Sequence, residues 1–154
     1  MLPIALCFAL AACGPTPQKR TRSEIEGSQE QRVARATTIL TKYCHLPSPL
    51  LDAHMAEDVA DNSGGMVPGP SDSYFSGVIT FAASELPKWR EVLAPQLPGP
   101  VSPEFHGVIS PPAWWPVPTA FEGCEFYAPK KLTGRPGGFI AVSPTAAVIY
   151  FSTF

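Results

Sequence analysis

The 154-residue chain predicts an α+β domain: a small, mostly antiparallel sheet of about four strands, with two or three helices packed on one face and long proline-rich loops. Three observations carry this expectation. Apolar residues recur at helical spacing in the first half of the chain and alternate at strand spacing in "YFSGVITFA" and near the carboxyl end. Nineteen prolines against a charged fraction of 16% call for stiff, irregular connections. An apolar fraction of 45% over this length supports one core and excludes a largely disordered chain.

Ser28 with Gln31 three residues later forms a capping box, and Val33, Ala36, Ile39, Leu40 and Tyr43 follow at helical spacing, so a helix is expected over 29–43. Beyond "HLPSP", Leu51, Met55 and Val59 lie four apart, with Ser48 and Pro49 able to supply a cap and a first helical position; this predicts a second, short helix over 50–60. "DNSGGMVPGPSD" reads as loop. Residues 74–82 alternate, with Phe75, Ile79 and Phe81 on one side, and predict a strand. Ser84 can then cap a helix whose face is Leu86, Trp89, Val92 and Leu93, with Pro87 in its first turn and Pro95 at its end. Eight prolines from Pro95 to Pro118 forbid a long regular element there. Strands are expected over 120–128, 138–143 and 146–153, the last two joined as a hairpin at Pro144 and Thr145, with "LTGRPGG" turning the chain before them. No internal repeat is present.

The opening "MLPIALCFALAACGP" is uncharged and apolar from Leu2 to Ala12. It is too short for a bilayer, which needs about 20 apolar residues, but suits the apolar region of a signal peptide; a buried amino-terminal helix with an ordinary core cysteine is the other reading. Leu10, Ala11, Ala12 and Cys13 resemble the lipobox of bacterial lipoproteins. That resemblance implies cleavage before Cys13, diacylation of its thiol and commonly a third chain on the new amino terminus. Residues 1–12 are then a signal peptide, 13–27 a lipidated flexible tether with a reach of roughly 20 Å, and 28–154 a single domain. Two or more acyl chains anchor stably where one binds reversibly. Gly14, standing where an aspartate would imply inner-membrane retention, implies an outer-membrane lipoprotein facing the periplasm or the cell surface. The resemblance covers the first fourteen or so residues; the strand, "LPKW" helix, "WWP" loop and terminal hairpin of 28–154 are similar to small lipoproteins only in general, which implies no activity.

With Cys7 removed and Cys13 lipidated, Cys44 and Cys124 remain, and an even remainder in an exported protein predicts a disulfide. Such a bridge would restrict the unfolded chain by about 4 kcal/mol. Two separate buried thiols are the alternative. No CxxC pair offers a redox or zinc motif.

The histidines are His45, His54 and His106, and the one compact constellation is His54, Glu57 and Asp58 in "HMAED". On a helix these share a face, but a metal needs three or four ligands, so a solvated face is expected, with no metal and no cofactor. HExxH, GxSxG and a glycine-rich phosphate loop are all absent, and adjacent Cys44 and His45 rarely attain nucleophile and base geometry. The chain is therefore not expected to be an enzyme. Lys130, Lys131 and Arg135, in the turn between two strands, form a possible contact for an anionic partner or a charged guard on a sheet edge. Trp114 and Trp115 point to opposite sides of an extended segment and cannot enter one core layer unless the chain turns. They are read as a pin for the loop, with one indole left as a contact.

A net charge of -2 with no charged block gives no case for nucleic acid. The expected role is a lipid-anchored envelope protein that binds or supports, partnered by the membrane through its amino-terminal anchor and by an envelope protein. The alternative is an inhibitor or immunity-type protein that blocks a toxin or enzyme at the envelope.

Overall fold

The computed structural model describes residues 19–63, 69–99 and 101–154. The lipobox and Cys13 lie outside them. The fold is α+β with one antiparallel sheet of six strands: β1 (Lys19–Glu24), β2 (Leu50–Asp61), β3 (Asp72–Phe81), β4 (Glu125–Tyr127), β5 (Gly138–Ser143) and β6 (Val148–Thr153), in the spatial order β1-β2-β3-β6-β5-β4. Three helices accompany it: α1 (Gln29–Leu40), α2 (Leu86–Leu93) and the single turn α3 (Lys130–Thr133).

The broad expectation holds, with six strands where about four are expected, and several particulars are corrected. Residues 50–60 form the long strand β2 rather than a helix. Leu51, Met55 and Val59 are four apart, a spacing that suits one helix face and one strand face equally, and burial on both sides of β2 hides the alternation. Residues 19–24, assigned to the tether, are strand β1, which pairs with β2 from Lys19 opposite Asp61 to Glu24 opposite Ala56. Its sequence, KRTRSE, is polar because it lies on the sheet edge, where no apolar alternation is required. The 120–128 strand shrinks to Glu125–Tyr127, preceded by a 3₁₀ turn at Pro118–Phe121, and the "LTGRPGG" turn begins inside α3.

The capping box forms as read: the Ser28 hydroxyl accepts from the Gln31 amide at 3.3 Å, and the Gln31 side chain accepts from the Ser28 amide at 2.9 Å. Helix α2 is entered through a 3₁₀ turn at Ala83–Glu85, so Ser84 makes no cap. The terminal hairpin is antiparallel, with Ile140 opposite Phe151 and Val142 opposite Ile149.

Alternation along the strands divides the interior into two layers. One face presents Met55, Phe75, Ile79, Ile140, Val142, Ile149 and Phe151 to Ala36 and Leu40 of α1, Trp89 and Leu93 of α2, and Leu132 of α3. Trp89, fully buried, packs against Phe81 and donates its indole N–H to Ser48 Oγ at 2.9 Å. The other face presents Phe139, Ala141 and Tyr150 to Val101, Trp115 and Phe121. Among the described residues no α-helix covers that side. The proline-rich segment lies across it as an irregular strap.

Candidate functional site

Burial of the aromatics on the strap face follows from the chain's turn. The amide of Trp115 donates to Pro112 O at 2.9 Å, and this reversal places both indoles over the same sheet face. Trp115 joins Phe105, Phe121 and Phe139, with ring centroids 5.1, 6.1 and 6.5 Å away. Trp114 stacks on His54 at 5.9 Å and donates Nε1–H to Glu24 Oε2 at 2.9 Å. Both tryptophans therefore hold the strap on the sheet.

A buried ion pair completes the fastening. Arg22 grips Asp58 through Nε to Oδ1 at 2.6 Å and Nη2 to Oδ2 at 2.8 Å, and its Nη1 donates to Ser110 O at 2.8 Å. The Asp58 side chain is 3% exposed, and its carboxylate is the largest cause holding the Arg22 guanidinium above its ordinary range. A Cβ at Gly107 would lie 2.4 Å from the Phe105 ring and 2.6 Å from Asp58 Oδ2, so a larger residue there would have to displace the ring and the carboxylate of the ion pair. His106 donates its amide to buried Ser152 Oγ at 2.7 Å, and its ring contacts Phe139 and Phe154; burial lowers its pKa.

The concave site lies on the opposite, helical face. A cavity of about 290 Å³ opens between the end of β1, the carboxyl end of α1 and the segment after α3. Its floor is Ile25, Ile39, Met55 and Phe75, and its rim carries Lys42, Tyr43, Glu57 and Arg135. Pairing register fixes which groups face inward: Ser23 opposite Glu57 belongs to this face, whereas Glu24 opposite Ala56 turns its carboxylate to Trp114. Arg135 lies over the Phe75 ring at 5.7 Å, and its Nη2 donates to Glu57 Oε1 and Ser73 Oγ, each at 2.9 Å. Its Nη1 donates to Ser73 O. Gly134, with φ of 74°, ends α3 in the left-handed region; a Cβ there would meet the Tyr43 ring at 2.5 Å, so glycine lets Tyr43 wall the cavity.

A separate polar network ties α2 to β4. Arg90 holds both oxygens of Glu125, at 2.8 and 2.5 Å, and the Tyr127 hydroxyl donates to Glu125 Oε2 at 2.8 Å. Its bond from Arg90 is the first cause lowering the Glu125 pKa, while burial, followed by the Glu125 contact, pushes Tyr127 up to about 12.

The other sequence-derived residues are dispersed. His54 and Asp58 share the strap face of β2, and Glu57 points to the opposite face, so the supposed metal constellation is split by strand alternation. Among the described residues no group of three or more His, Cys, Asp or Glu is placed to hold a metal. The Cys44–Cys124 disulfide is not formed: Cys44 packs against the helical core and Cys124 against the aromatic core, with the sheet between them. Burial raises both thiols, and Cys124 is raised further by Glu125. Lys130 and Lys131 are exposed on α3, where Lys131 Nζ donates to Ala94 O, and His45 is exposed. The expected contact surface is thus not one patch, since Trp114 and Trp115 lie on one face of the sheet and Arg135 on the other. The cavity itself was missed, because Ile25, Met55 and Phe75 are brought together only by a strand read as tether and a strand read as helix.

Comparison with protein-family models, with curated proteins and with solved structures finds no match to this chain.

Proposed function

We propose that this chain is a lipid-anchored protein of the cell envelope, acylated at Cys13, that acts by binding at the cavity between α1 and β1 rather than by catalysis. The observation that carries the anchor is the apolar run ending in Leu10, Ala11, Ala12 and Cys13. The start of β1 sharpens it. Lys19 is six residues past Cys13, so a fully extended connection spans at most roughly 20 Å, and an anchored sheet edge with exposed Lys19 and Arg20 would work close to the bilayer. Basic residues within a Debye length of an anionic surface are drawn to it, which fits that placement. Support for binding comes from a preformed concavity with an apolar floor and a few charged rim groups, the usual composition of a ligand site.

Metabolic labelling with an alkyne fatty acid, followed by envelope fractionation, tests the anchor. Wild type is expected to carry label and to sediment with membranes, and Cys13→Ser to lose both. An unlabelled wild type overturns the anchoring.

A further inference from the structure

The charges that face the cavity are unequal. Glu57 is held by Arg135 through the 2.9 Å contact, whereas Lys42, exposed two residues past the end of α1, forms no ion pair among the described residues. Arg135 keeps its Nε free of hydrogen bonds among the described residues, since Nη1 and Nη2 alone serve Ser73 and Glu57. Two cations thus stand against one acid above a floor of Ile25, Ile39, Met55 and Phe75. The volume, about 290 Å³, equals the liquid share of roughly ten waters. That suits one chain or ring.

We infer that the cavity takes an amphipathic anion, a single medium-length aliphatic chain ended by a carboxylate, with the chain over Met55 and Phe75 and the carboxylate between Lys42 and Arg135. This rests on the cavity being the binding site. Apolar burial supplies affinity in proportion to the area removed from water, and the rim cations select the sign of the head group. The carbonyl end of α1 and Glu57 oppose an anion, so Lys42 and Arg135 must outweigh both for the site to select a carboxylate.

Decanoate, decylamine and decanol, each below its micellisation concentration, provide the probes, and the ¹³C-methyl signal of Met55 in the full chain provides the readout. Decanoate is expected to move that signal saturably, decanol more weakly and decylamine least. Lys42→Glu, at an exposed position, is expected to weaken decanoate roughly tenfold without altering the unliganded spectrum of the core. Equal or stronger response to decylamine, or an unchanged affinity in Lys42→Glu, overturns the ligand class while leaving the cavity as a site. An unmoved Met55 signal with all three overturns both the ligand class and the cavity reading, and labelling at Cys13 then stands or falls separately.

Discussion

The helical face and the strap face of the sheet bury comparable kinds of residue by different means. On the first, α1 and α2 meet their own backbone hydrogen bonds internally and deliver Leu40, Trp89 and Leu93 to the core as regular ridges. On the second, the proline-rich segment delivers Trp115 and Phe121 without helix or strand, and its backbone is tied down residue by residue through Arg22, Ser152 and the Trp115 turn. Regular cover is held by area; irregular cover is held by fasteners. That difference goes with an open cavity on the helical side, where a gap between regular elements leaves space, and with an aromatic cluster on the other.

Substitutions that probe the two faces should differ in size. Trp89→Ala removes a fully buried indole and leaves Ser48 Oγ without its donor, and should cost about 4 kcal/mol in urea-induced unfolding. Asp58→Ala leaves Arg22 facing the strap without its carboxylate and should cost about 3 kcal/mol, with new proteolytic cuts confined to the strap. Trp115→Ala, at a half-buried position, should cost about 2 kcal/mol. A loss at Trp115 equal to that at Trp89 would erase the contrast between the faces. Ser28→Ala, which breaks the capping box alone, should cost about 1 kcal/mol.

The polar network between α2 and β4 gives a pH signature with a defined sign. Glu125 is lowered on folding, so its contribution is present above the ordinary carboxylate range and is lost as pH falls through its folded value. Tyr127 is raised from 10.0 to about 12, so its contribution is complete below pH 10 and is lost as pH rises through about 12. Denaturation midpoints followed across pH should show both flanks, and Tyr127→Phe should weaken the alkaline one, to which the raised Cys44, Cys124 and Tyr150 also contribute, while keeping the acid one.

Legibility in the sequence follows the same division. Helix α1 and the β5–β6 hairpin were readable because a capping box and a short proline-containing break are local signals. Strand β2 was not, because Ala53 and Met55 face the helices while Ala56, Asp58 and Ala60 are buried on the strap side, and burial on both sides leaves no alternation to see. Strand β1 owes its order to pairing with β2 and to the Arg22–Asp58 contact, which no local pattern announces. The tryptophan pair can share one side only where the chain turns, and the bond from the Trp115 amide to Pro112 O is that turn. The cysteines could not be paired or separated without knowing which face each occupies.

Hydrogen exchange of the strap amides tests most directly the claim that an irregular segment is as fixed a layer as the helices. The amides of His106 and Trp115, bonded to Ser152 Oγ and Pro112 O, should exchange slowly in the wild type, and both should lose protection in Asp58→Ala while α1 amides keep theirs. Exchange of these two amides at free-loop rates in the wild type would contradict the account and leave the aromatic face of the sheet without a fixed cover.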